Sequence, residues 1–224
     1  MRRQGKVTAK GNLRWRFGAP MAALIVMLAP GLAWAGGRSA RFRIETALLV
    51  QEITQLTRGD RAPRLKERIQ SDLGVLAFEA RSYAEEQRAG HRKALLEVRA
   101  AKRAFVEHDY VRLLGVMRGL HHTYPVHFHG ILPLSPTHAR MAYGRFLYQN
   151  LCATCHIAGV SNTPVPDLFS MARTQSPADL VVQIMSGVRG TRAVAFANPL
   201  TYGQIASLAS FLRYSNPRIL HHAR

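Results

Sequence analysis

At 224 residues the chain can form one large domain or two small ones, and a hydrophobic fraction of 47% excludes global disorder. Its 31 basic residues against 13 acidic ones give a formal charge of +18, which points to anionic partners: acidic proteins, anionic membrane surfaces or nucleic acid. Six of those basic residues (Arg2, Arg3, Lys6, Lys10, Arg14, Arg16) lie within the first 35 positions, which hold no acid, and the remainder is still strongly basic.

Residues 1–35 read as an export signal peptide. A basic stretch precedes the apolar run Gly18–Trp34, and Ala33-Trp34-Ala35 fits the small-x-small cleavage rule before Gly36. Pro20, Pro30 and Gly31 interrupt the run, which favours a cleaved signal over an uncleaved membrane anchor. Arg2-Arg3 lacks the flanks of a twin-arginine signal. Export puts the mature protein in the periplasm, away from nucleic acid. Trp15 and Trp34 would both leave with the signal.

Residues 38–123 carry helical periodicity and predict a small antiparallel bundle, with the whole chain all-α. Leu49, Ile53 and Leu56 form a first stripe, bounded by Gly59. Leu65, Ile69, Leu73, Leu76, Ala80 and Tyr83 form a longer second one, and Leu95, Val98 and Phe105 a third. Asp109 is placed to cap a fourth helix bearing Leu113, Met117 and Leu120, which must stop near Pro125. These stripes predict core and no cofactor box.

Residues 124–139 break the periodicity with Pro125, Gly130, Pro133 and Pro136, and read as a linker. Residues 140–224 then form a segment long enough for one compact domain. Eight arginines there face only Asp167 and Asp179.

Within that segment Cys152-Ala153-Thr154-Cys155-His156 is the one strong chemical motif. Two thiols with two residues between them on a helical turn suit thioether bonds to the two vinyl groups of a porphyrin, and the adjacent imidazole can then meet the iron from the proximal side. A zinc site wants a second pair of ligands, and no other cysteine exists in the chain. A dithiol redox pair wants a βαβ setting, which the helical surroundings do not supply. One haem c per chain is expected, attached through Cys152 and Cys155 with His156 on the iron.

The residues around the motif resemble the class I cytochrome c family from Ala142 to about Tyr214. Gly144-Arg145-Phe146-Leu147-Tyr148 ahead of Cys152 is similar to that family's first helix, whose glycine and aromatic face the last helix. Pro166-Asp167-Leu168 resembles its Pro-x-Leu turn. Leu180, Ile184 and Gly187 match the helix before the distal loop, and Ile205, Leu208, Phe211 and Leu212 match the closing helix. The resemblance implies a cytochrome c-like fold and a methionine as sixth iron ligand. Here the chain departs from the pattern: Ala193 stands at the expected methionine, in Arg192-Ala193-Val194-Ala195-Phe196. Met171, Met185 and the histidines 121, 122, 127, 129, 138, 221 and 222 are alternative donors. A sulfur or imidazole on the iron favours electron transfer; an open position favours small-ligand binding, sensing or peroxidase-like chemistry.

The expected function is therefore a periplasmic electron carrier or electron-transfer subunit rather than an enzyme. Acidic redox proteins would meet an arginine face running from Arg173 through Arg192 to Arg213. An anionic membrane surface stays open as a second partner; nucleic acid does not.

Overall fold

The computed structural model describes residues 37–60, 64–86, 92–156, 167–187 and 200–216. The expected signal peptide, the Ala193 loop and the His221-His222 tail lie outside the described residues. Everything described is helix, turn or irregular chain, with no strand. The helices are α1 (Gly37–Thr57), α2 (Leu65–Glu86), α3 (Arg92–Val106), α4 (Tyr110–Thr123), α5 (His138–Leu147), α6 (Leu168–Thr174), α7 (Pro177–Ser186) and α8 (Tyr202–Tyr214), with a single π turn, Tyr148–Cys152, extending α5.

Helices α1 to α4 close a ring in which each packs on the next and α4 returns to α1. Short breaks between consecutive helices force antiparallel neighbours. Ion pairs read the register directly: Arg41 at the start of α1 meets Glu79 late in α2 at 3.9 Å, and Glu52 late in α1 meets Arg68 early in α2 at 3.3 Å. The ring's core holds Phe42, Leu49 and Ile53 from α1 and Leu65, Ile69, Leu73, Leu76 and Ala80 from α2. From α4 come Leu113, Met117 and Leu120, each fully buried. The side chain of Tyr83 lies outside the described residues. Burial of such side chains contributes on the order of 1.5–3 kcal/mol each before entropy is counted. Helix α3 closes the ring with small residues, since Ala94, Ala101 and Ala104 are buried beside Val98 while Leu95 and Phe105 pack at the edge. As the sequence predicts, the Asp109 carboxylate caps α4 by accepting from the Arg112 amide at 2.9 Å.

Helix α1 has a second buried face. Ile44, Ala47 and Leu48 belong to a separate core with α5, α6, α7 and α8, and α1 packs directly on α7. Gln183 on α7 donates to the Gln51 side chain on α1 at 3.3 Å. Residues Val126, Ile131 and Leu134, from the stretch expected as a linker, are also buried in this core. Residues Ala33–Arg224 accordingly form one compact unit.

The helix ends of the second core are fixed by short polar signals. Thr137, Asp167, Ser176 and Thr201 cap α5, α6, α7 and α8 in turn. Thr201 and Gln204 exchange hydrogen bonds as a capping box, with Gln204 Oε1 accepting the Thr201 amide at 2.9 Å. Helix α7 ends at Gly187, whose φ of 81° suits glycine. No helix of the described residues is long and apolar enough to cross a membrane.

Candidate functional site

The Cys152–His156 motif follows directly on α5, which crosses α8. Gly144 makes that crossing close: a Cβ there would lie 2.6 Å from Phe211 Cβ and 2.8 Å from the Ser207 carbonyl carbon, so only glycine fits. One turn on, Tyr148 is 3% exposed and its ring meets Phe169 of α6 edge-on at 5.0 Å. Phe211 of α8 completes the cluster at 5.8 Å from each of the other two rings. Edge-to-face aromatic packing of this kind adds about 0.5–1.5 kcal/mol per pair beyond its buried area. Three helices thus converge under the motif.

Beyond Leu147 the backbone widens into the π turn, marked by the Ala153 amide donating to the Tyr148 carbonyl at 2.9 Å. The chain then tightens. The Cys155 and His156 amides both donate to the Cys152 carbonyl, at 3.2 and 2.8 Å, which places the two cysteines and the histidine on one turn. The Tyr148 hydroxyl donates to the His156 carbonyl at 2.6 Å, tying the end of the motif to the aromatic cluster. Burial raises the Tyr148 phenol above its ordinary value, with the Cys152 thiol and the Asp167 carboxylate adding to the effect, so the hydroxyl keeps its proton and remains a donor at neutral pH.

The two thiols differ in setting. Cys152 is half-buried and packs against the second core, whereas Cys155 is exposed. Burial pushes the Cys152 thiol up from its ordinary value, and neighbouring Cys155 pushes it the same way. A thiol held protonated is a poor nucleophile for disulfide exchange.

Ala153 of this turn packs at the margin of the second core, as Leu168 of α6 and Ile184 of α7 do. Met185 is 3% exposed and contributes its thioether to packing within α7, beside Val181 and Val182. Met171 is half-buried on α6. Of the histidines, His127 is exposed and its Nε2 lies 3.1 Å from the Arg43 guanidinium, which also donates to the Pro125 carbonyl at 2.9 Å. His122, His129 and His138 are exposed. His121, at the end of α4, is half-buried, and its Nδ1 has no hydrogen-bond partner among the described residues. Desolvation lowers its pKa, and the Asp179 carboxylate acts in the opposite direction.

Two arginines of the face expected from Arg173 to Arg213 also bind backbone. Arg213 donates to the Ala172 carbonyl at 2.7 Å and to the Gln175 carbonyl at 2.9 Å, and Arg173 donates to the Ser215 carbonyl at 3.0 Å. These guanidinium groups fasten the C-terminal ends of α6 and α8 together. Arg192 lies outside the described residues.

Comparison with family models, with curated proteins and with solved structures finds no match.

The chemistry therefore has to be read from the side chains. Among the described residues no three His, Cys, Asp or Glu side chains gather to hold a bare metal ion. The donor set on this turn is two unpaired thiols and one imidazole, flanked by apolar surface, with a cluster of three aromatic rings underneath. It fits a covalently held porphyrin. Sequence spacing named all three of these donors. It missed the Tyr148 hydroxyl bond, for which a tyrosine where phenylalanine would pack equally well is the only sequence signal.

Proposed function

We propose that this protein is an exported c-type cytochrome that carries one haem and passes single electrons between redox proteins of the periplasm. Cys152 and Cys155 would hold the porphyrin through thioethers and His156 would ligate the iron. The observation that carries the reading is the Cys152–His156 turn, with both thiols and the imidazole on one loop anchored by Gly144 at the α5–α8 crossing and by Tyr148. The haem supplies a one-electron centre when bound. What the chain supplies is position: the Tyr148 hydroxyl steadies the His156 backbone, and Cys152 and Ala153 pack against the apolar second core.

The close glycine crossing and the aromatic cluster also agree with the resemblance to class I cytochromes c, whose first and last helices meet in this way. The export signal of residues 1–35 supports a periplasmic location, where thioether attachment and redox partners would be met.

Ala193 favours a second reading, in which the sixth iron position is open and the protein senses or activates a small ligand. One set of spectra tests both. The purified mature protein is expected to keep its haem through a denaturing gel, and Cys152→Ala or Cys155→Ala is expected to leave a single thioether. Loss of all haem from the unaltered chain in denaturant would overturn covalent attachment. A reduced low-spin spectrum unmoved by carbon monoxide would exclude the open site and leave electron transfer.

A further inference from the structure

The outer face of α5 carries large apolar groups in water. Tyr143 is 43% exposed, Phe146 56%, and Leu151 in the π turn 56%. The Tyr143 and Phe146 rings stack nearly parallel, 10° apart with centroids 6.2 Å apart. Tyr143 is held in place by the Gln204 amide of α8, which donates to its hydroxyl at 3.0 Å. A fixed aromatic pair in solvent is costly to leave uncovered and loses little freedom when it binds.

Charge gives the chemistry of the cover. At 3.6 residues per turn, Arg140 and Arg145, both half-buried, fall roughly 90° and 130° to opposite sides of the midline between Tyr143 and Phe146, so the aromatic pair has an arginine on each flank. Neither arginine forms an ion pair among the described residues, unlike Arg41 and Arg68 in the bundle. No acidic residue stands anywhere between Asp109 and Asp167, and none stands on α8. An approaching carboxylate therefore meets two cations and no opposing charge from either helix.

We propose that this α5 face is the docking surface for an acidic electron-transfer protein, one with an apolar centre and a carboxylate rim. The inference rests on the cytochrome reading and adds its partner's place: α5 runs straight into Cys152, and Cys155 is exposed, so a protein seated on Tyr143, Phe146 and Leu151 sits beside the attachment turn. Tyrosine, phenylalanine and arginine are the residues that dominate protein interfaces. A lipid surface is a poorer fit, because membrane recruitment by charge takes clusters of about 4–8 basic residues, and the face offers two arginines. The planar guanidinium also matches a carboxylate in two-point contact.

The test uses the full mature chain and a small acidic blue-copper protein as probe, with binding measured by interferometry at low ionic strength. Reversing both charges, Arg140→Glu with Arg145→Glu, is expected to weaken binding at least about tenfold. Phe146→Ser is expected to weaken it several-fold without changing its salt dependence. A control pair on α3, Arg99→Glu with Lys102→Glu, changes net charge equally on exposed positions and is expected to cost less than about twofold. Equal losses from the two pairs would reduce the effect to net charge and overturn the proposal, as would no loss from the α5 pair. Binding to phosphatidylglycerol vesicles through the same residues, with none to the copper protein, would overturn it in favour of a membrane. Circular dichroism checks each variant, and Arg140→Gln with Arg145→Gln stands in if charge reversal unfolds the chain. Haem staining is read separately: an unstained chain that still binds through α5 refutes the cytochrome reading and leaves the docking face standing.

Discussion

Replacing Gly144 by alanine probes the α5–α8 crossing on which the candidate site stands. The added methyl would press on the Ser207 carbonyl group and on Phe211 Cβ, 2.6 Å away, and the backbone of α8 cannot swing aside as a side-chain tip can. Overpacking of this kind costs about 1–3 kcal/mol, with backbone contact at the upper end. Alanine in place of glycine within a helix returns about 1 kcal/mol. The net loss is then roughly 2 kcal/mol, or a fall in Tm of about 4–8 °C for a unit of this size. Gly74 on α2 and Gly115 on α4 are the controls, since a Cβ at either meets nothing within 4 Å. Gly74→Ala and Gly115→Ala should leave Tm unchanged or raise it by a few degrees. Thermal melts followed by far-ultraviolet circular dichroism measure all three. A Gly144→Ala protein that melts as high as Gly74→Ala would refute the close crossing.

Tyr148→Phe keeps the packing with Phe169 and Phe211 and removes only the bond to the His156 carbonyl, so a loss of about 0.5–1.5 kcal/mol is expected in urea unfolding; no loss would mean that the hydroxyl is idle. Arg213→Leu strands the Ala172 and Gln175 carbonyls and is expected to cost about 1–3 kcal/mol, whereas the same change at exposed Arg99 should cost less than about 0.5 kcal/mol. His121 is held below its ordinary pKa by burial, so the unfolded chain binds this proton more readily than the folded one. Its contribution to stability is therefore present above the unfolded value near pH 6.5 and is lost as pH falls below it. His121→Gln should flatten the dependence of urea midpoint on pH in that window, and an unchanged slope would count against the buried setting.

Much of the fold was legible because it is locally encoded. The stripes on α2 and α4, the Asp109 cap and the stop before Pro125 each depend on residues within one or two turns, and each falls where periodicity puts it. Helix α1 was only half legible. A stripe reading assumes one buried face, whereas Phe42, Leu49 and Ile53 serve one core and Ile44, Ala47 and Leu48 another, which blurs the period. Pro125, Pro133 and Pro136 fall in non-helical chain between α4 and α5, but irregular backbone says nothing about burial, and Val126, Ile131 and Leu134 are interior. The arginines show the same limit: composition counts charge, and only geometry tells that Arg213 and Arg173 bind backbone carbonyls while Arg140 and Arg145 form no ion pair among the described residues.

By itself the sequence determined the chemical inventory: two thiols and an imidazole at fixed spacing, a glycine and an aromatic before them, an excess of basic residues and an apolar stretch near the start. Those are properties of neighbours along the chain, and covalent geometry fixes them. The tertiary structure decided which distant groups meet. It put Ser207 and Phe211 against Gly144, joined Tyr148 to His156, made α1 common to two cores, and left Tyr143 and Phe146 in water. Contacts across tens of residues depend on how whole helices pack. No local pattern carries that information, because the same stripe can pack against any apolar face of matching shape.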